Sequence, residues 1–136
     1  CPGANTVLDY GCGYKPVLKI LLEREEYQVN VYDPNFFPNG DSQKEYDLIV
    51  STESFEHFKK PREELTHLLP KISHSGHLAV MTRFYPEKNN TFCLESFSKW
   101  YYKRDPTHVA FYGQNTFLWI AEKFKMKICH NNKTDF

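Results

Sequence analysis

The sequence predicts an α/β fold, a mostly parallel sheet covered on both faces by helices, and three observations lead there. Short β-branched runs alternate along the chain with amphipathic segments of helical period. The first of those runs, ending at Asp9, enters a glycine turn at Gly11 and Gly13 and then a helix. The next run closes on an acid, Asp33. Strands alternating with helices imply a parallel sheet buried between helical layers. Ligands of such sheets bind outside the carboxyl ends of the strands, where the strand order reverses. Polar and glycine residues gather at those ends, after Asp9, Asp33, Ser51 and Thr82.

Each element follows from local pattern. Thr6 to Asp9 is an apolar run stopped by glycines, a buried strand before a tight turn. From Pro16, Val17, Leu18, Leu21 and Leu22 recur at helical spacing opposite Lys19, Glu23, Arg24 and Glu25, and a proline suits a first helical turn. Gln28 to Asp33 is a second strand, and Pro34 to Lys44, rich in Pro, Asn, Gly and Asp, is a loop. Tyr46 to Ser51 is a third strand. Pro61 to Ile72 places Leu65, Leu68, Leu69 and Ile72 on one helical face, and His77 to Thr82 is a fourth strand after a turn at Gly76. Short helices are expected over Phe97 to Tyr102 and Thr116 to Phe124, the latter capped by Asn115, with a last weak strand over Lys127 to His130.

A chain of 136 residues fits one domain. It opens without Met almost directly at a strand, so the expectation is a single domain over residues 1–136, trimmed at its N-terminus. Hydrophobic residues make up 40% and charged residues 25%, as in ordinary globular proteins. The formal net charge of zero provides no global field for nucleic acid or an anionic membrane. Cys1, Cys12, Cys93 and Cys129 form no C-x-x-C pair, which suits a reduced, cytoplasmic protein. No apolar run approaches the roughly 20 residues that span a bilayer.

The glycine loop and the acid together carry the functional reading. Gly11 and Gly13 allow a sharp turn and a close ligand approach, and a helix starting there favours a carboxylate or phosphate. Asp33, 20 residues beyond Gly13, stands where dinucleotide folds place the acid that accepts ribose hydroxyls. The pair therefore indicates a nucleoside-bearing cofactor. A nicotinamide fingerprint needs a third glycine where Pro16 stands, which disfavours that cofactor.

Val7-Leu8-Asp9-Tyr10-Gly11-Cys12-Gly13 resembles the first motif of class I S-adenosylmethionine-dependent methyltransferases, and Tyr32-Asp33 matches the acid after their second strand. Tyr46 to Val50 and His74 to Leu78 resemble their fourth strand and the turn before their fifth. The resemblance runs from Val7 to about Phe124 and implies a Rossmann-like sandwich, abbreviated in its middle and at its end. It implies that Asp9, Tyr10, Gly11, Cys12 and Gly13 frame the methionine end of S-adenosylmethionine, that Asp33 and Pro34 hold the ribose, and that Ser51 and Thr52 border the same site.

Glu53-Ser54-Phe55-Glu56-His57 follows the third strand, where cofactor and acceptor would meet. In a helical coil Glu53, Glu56 and His57 would share a face, and carboxylates with an imidazole suit Mg²⁺, Mn²⁺ or Fe²⁺. Asp105-Pro106-Thr107-His108 lies on the loop after the fourth strand and can add a ligand. The E-x-x-E-H pattern is similar to that of ubiquinone-pathway O-methyltransferases and of metal-binding small-RNA 2′-O-methyltransferases, which implies Glu53, Glu56, His57 and His108 as a Mg²⁺ or Mn²⁺ site. The stretch Trp100 to Tyr112 resembles bacterial methyltransferases of undefined substrate with W-Y-x-x-D-P-T-H-V-x-F-Y.

Several readings remain open at this level. E-x-x-E-H also suits a helix start, where acids meet the positive dipole end. His108 suits a general base, with His57 and Glu53 as further acceptor-handling residues, or a loop cap. Aromatic residues, 16% of the chain, crowd between Phe92 and Trp119. Phe84, Trp100, Tyr101, Phe111 and Tyr112 are candidates for a pocket wall, against a plain aromatic core. Lys99, Lys103 and Arg104 beside Trp100, Tyr101 and Tyr102 read either as a lid with solvated charges or as a nucleic-acid contact. The expected function is methyl transfer to an oxygen or nitrogen of a small-molecule acceptor. The alternatives are a non-catalytic cofactor-binding module of a larger assembly and an RNA 2′-O-methyltransferase.

Overall fold

The computed structural model describes residues 3–42, 45–89 and 91–132. Four strands, β1 (Thr6–Tyr10), β2 (Gln28–Tyr32), β3 (Tyr46–Thr52) and β4 (Ile72–Met81), form a parallel sheet in the order β2-β1-β3-β4. The chain runs outward from β1 to β2 and then crosses to β3 on the other side, so the order reverses between β1 and β3. That is the position at which open α/β sheets bind ligands.

Successive side chains of each strand point to opposite faces. On one face Val7, Val29, Leu48 and Val50 pack against Leu18 and Leu22 of α1 (Val17–Arg24). On the other, Leu8, Tyr10, Ile49 and Val80 pack with Leu65 and Leu68 of α2 (Pro61–Leu68) and with Phe117 and Ile120 of α4 (Gln114–Lys123). Between β4 and α4 lie a two-residue hairpin, β5 (Glu87–Lys88) and β6 (Thr91–Phe92), and α3 (Leu94–Lys99).

Several local expectations change. The apolar stripe of α1 is wider than its contact, for Val17, Ile20 and Leu21 are 57%, 51% and 49% exposed. The second helix stops at Leu68, a short 3-10 turn follows, and Ile72 already belongs to β4. Gly76 makes no turn. It lies inside β4, where five steps from Ile72 to His77 face two from Tyr46 to Leu48, and a Cβ there would come within 2.9 Å of the Tyr46 carbonyl. The helix expected over Phe97 to Tyr102 ends at Lys99, and a separate 3-10 turn covers Tyr101–Arg104. The N-cap of α4 is Gly113, whose N–H donates to Thr116 Oγ1, and Asn115 lies inside the helix. Lys127 to His130 pairs with no strand among the described residues. It lines, with β4, Phe117 and Ile120, an open cavity of about 760 Å³. Part of the loop expected over Pro34 to Lys44, at Gln43 and Lys44, lies outside the described residues, and the rest holds a single bridge between Asp33 and Phe37.

Candidate active site

Two loops meet where the strand order reverses. After β1, Gly11 and Gly13 take φ of +83° and +65°, a left-handed geometry natural to glycine. After β3, Ser54 Oγ donates to the Gly11 carbonyl at 2.9 Å and joins the two turns. The Gly11 and Cys12 amides both donate to the Tyr32 carbonyl, at 2.8 and 3.2 Å. Gly13 N–H donates to Asp33 Oδ2 at 3.2 Å, while Asp33 Oδ1 accepts from Asn35 and Phe36 amides. Asp33 therefore braces the glycine loop across the 20-residue spacing seen in the sequence, and its two oxygens retain lone pairs beyond those bonds.

The residues around this turn differ in what they offer. Nothing stands within 4 Å of a Cβ placed on Gly13, so the backbone there is open to a ligand. Asp9 is 3% exposed, and burial pushes its carboxyl up to about 6. Burial, with the charges of Asp9 and Asp33 beside it, pushes the Cys12 thiol up to about 12, so it stays neutral. Tyr10 faces away from the turn: it stacks on Tyr32 at 4.8 Å and donates to Glu64 Oε2 at 2.8 Å on α2. Pro34 is exposed and Thr52 half-buried. Ser51 Oγ, fully buried at the end of β3, is without a hydrogen-bond partner among the described residues. An open glycine, an acid pair and an orphaned hydroxyl at one strand-end crevice fit a polar nucleoside-bearing ligand.

Beside the glycine turn is a second cluster. Glu53 is exposed with φ +49°, a left-handed conformation uncommon for a side chain larger than Asn. Burial, then the neighbouring Glu56 charge, raise the Glu53 carboxyl above the usual range. Glu56 is fully buried and accepts from Thr82 Oγ1 at 2.9 Å and from the Tyr102 hydroxyl. The same hydroxyl lies 3.1 Å from Glu53 Oε2.

The Asp105-Pro106-Thr107-His108 loop docks over this pair. Asp105 Oδ1 accepts from Thr107 N–H and Oγ1, bonds that hold its carboxyl below the usual range. Val109 and Ala110 amides donate to the Glu56 carbonyl at 2.8 and 3.0 Å. His57 Nδ1 is 3.0 Å from the Thr107 carbonyl and His108 Nδ1 is 2.7 Å from the Tyr102 carbonyl. A carbonyl can only accept, so both Nδ1 atoms carry hydrogen, and Nε2 is the ring atom left for a ligand or a proton. The two rings meet edge to face at 4.9 Å, and His108 Nε2 is 3.8 Å from Asp105 Oδ2. One ligating atom each from Glu56, His57 and His108 fall within 4.8 Å of one another, a group that does not include Glu53.

The proposed wall divides. Phe84 and Tyr112 belong to the core, with Tyr112 donating to the Phe55 carbonyl at 3.0 Å. Trp100 and Phe111 pack at 5.6 Å beside Phe97, and Tyr101 is 59% exposed. Sequence patterns did not single out Thr82 or Tyr102 as partners of the acids. Thr82 directly follows the fourth strand and Tyr102 sits in a row of aromatics, and neither position has a spacing that marks it.

The fold is that of a class I methyltransferase, a parallel sheet whose switch point here carries a glycine turn and an acid. Residues 1–130 match the methyltransferase domain family, and the chain belongs to it. A solved structure from Bacillus halodurans, assigned as a methyltransferase, superposes with a TM-score of 0.60 at 16% identity, covering 90% of this chain and 62% of that one. The chain thus spans under two-thirds of that relative's length. A search of curated proteins finds no detectable relative. Family membership implies S-adenosylmethionine as methyl donor. Among the described residues no helix is long and apolar enough to cross a membrane.

Proposed function

We propose that this chain transfers a methyl group from S-adenosylmethionine to an oxygen or nitrogen of a small-molecule acceptor. The observation that carries the reading is the junction at the switch point, where Ser54 fastens the Gly11–Asp33 turn to the segment that bears Glu53, Glu56 and His57, with the His108 loop docked on Glu56. Asp9, Gly11, Cys12, Gly13, Asp33, Pro34, Ser51 and Thr52 border the cofactor side, with Tyr10 contributing backbone. The sulfonium supplies the electrophilic methyl and a good leaving group when bound. The chain's own task is to orient the acceptor and remove its proton. His108, with Nδ1 fixed on a carbonyl and His57 beside it, is the proton acceptor of choice, and Glu53, held by the Tyr102 hydroxyl, is a further acceptor-handling residue. The net zero charge favours a small molecule over RNA.

The test is release of S-adenosylhomocysteine from full chain given a panel of hydroxyl and amine acceptors. Turnover that falls about 10²-fold or more in His108→Asn supports the reading. Cofactor binding with no turnover on any acceptor favours a non-catalytic module.

A second reading has an observation of its own, the Glu56–His57–His108 group, whose donors would suit a divalent cation such as Mn²⁺. A rise in the unfolding midpoint with Mn²⁺ or Mg²⁺ that His57→Ala removes would support it, and an unchanged midpoint would exclude it.

A further inference from the structure

Tyr102 lies in the Trp100–Tyr112 stretch, where no spacing gives it a role toward the acids, yet both carboxylates and His108 converge on it. Its side chain is 6% exposed. Its hydroxyl contacts Glu56 and lies 3.1 Å from Glu53 Oε2, so one phenol faces both carboxylates at the end of β3. Its carbonyl takes the His108 Nδ1 hydrogen at 2.7 Å, and its ring lies 4.2 Å from the His108 ring. Trp100 packs on its other side at 5.1 Å. A phenol has one hydrogen to donate, and a carbonyl fixes the tautomer of the ring it holds. The residue therefore couples where the acids sit to which nitrogen of His108 is bare.

We propose that Tyr102 is a positioning residue of the acceptor site. Its phenol locks the 101–108 segment onto Glu53 and Glu56, and that lock holds the His108 ring with Nδ1 on the Tyr102 carbonyl and Nε2 on the side of Asp105. This rests on the methyl-transfer reading for its consequence in turnover. The placement of His108 itself does not depend on that reading. A misplacement of about 1 Å in a group that handles the acceptor costs about 10²-fold in rate.

The experiment is Tyr102→Phe in the full chain, which keeps the ring and removes the hydroxyl. S-adenosylhomocysteine affinity is expected to stay within about two-fold, since the cofactor turn is untouched. The turnover number should fall by roughly 10- to 100-fold with a smaller change in KM for the acceptor. Long-range ¹H–¹⁵N spectra of the histidines provide a readout that needs no activity. His108 should lie in the Nδ1–H tautomer in the parent and as a tautomer mixture in Tyr102→Phe. If the parent binds no cofactor, methyl transfer fails while the spectra still decide the role of Tyr102. An unchanged tautomer overturns the proposal, as does unchanged turnover in an active parent. If Tyr102→Phe does not fold, Tyr102→Phe combined with Glu56→Gln removes the buried charge deprived of its donor and is read the same way. Loss of cooperative folding in both would also overturn it, by making Tyr102 a core residue of the fold.

Discussion

Ser54 Oγ donates to the carbonyl of Gly11 at 2.9 Å and to that of Thr52 at 3.0 Å, so one hydroxyl fastens the turn after β1 to the strand end of β3. A Cβ on Gly11 would lie 2.4 Å from that oxygen and 2.6 Å from Ser54 Cβ, in a backbone already at φ +83°. Gly11→Ala should destabilise by about 2–3 kcal/mol, the sum of left-handed strain and a displaced hydrogen bond. In a Ser54→Gly background the same change should cost about 1 kcal/mol less, because the clash is gone while the strain stays. Urea unfolding of the four proteins checks both figures, and equal costs in the two backgrounds would contradict the contact.

Asp9 should make stability fall with rising pH. Its folded pKa, about 6, lies above the ordinary 3.8, so the folded chain holds the extra proton between those values. The protonated form is fully populated below about pH 4, the benefit is lost as pH rises through 4 to 6, and above 6 a buried charge costs on the order of 2–3 kcal/mol. Asp9→Asn should therefore be more stable than the parent at pH 7.5 by about 1–3 kcal/mol, with no gain near pH 4. It should also bind S-adenosylhomocysteine more weakly. Unfolding at the two pH values, with calorimetry at the higher, tests the pair of effects.

Glu53 carries strain at the site, since its φ of +49° suits glycine better than glutamate. Glu53→Gly should stabilise the fold by about 0.5–1 kcal/mol while lowering acceptor turnover. A loss of stability on that change would mean that the Tyr102 contact outweighs the strain.

The legible part of this protein is what period and punctuation determine. β1 and β3 were readable because central strands buried on both faces are rich in continuous apolar residues. β2, at the sheet edge, was readable because its β-branched residues alternate with polar ones, and Asp33 because it follows that strand. Gly76 misled because a glycine between helix and strand reads as a turn, whereas here it admits the Tyr46 carbonyl inside a bulged strand. Lys127 to His130 has β-like residues but finds no edge to pair with among the described residues. At the site, motif spacing brought together Glu56, His57 and His108, which the docked loop places within 4.8 Å. Thr82 and Tyr102 escaped because their role comes from a tertiary contact to a buried acid, 26 and 46 residues away in sequence.

The most direct measurement is titration calorimetry of S-adenosylhomocysteine against the full chain and Asp33→Ala, with unfolding curves confirming that both are folded. Saturable one-to-one binding by the parent, weakened at least about ten-fold, or about 1.4 kcal/mol, in Asp33→Ala, is the expected result. No heat of binding to a cooperatively folded parent, or equal affinity in the two proteins, would contradict a cofactor site built on the glycine turn and Asp33.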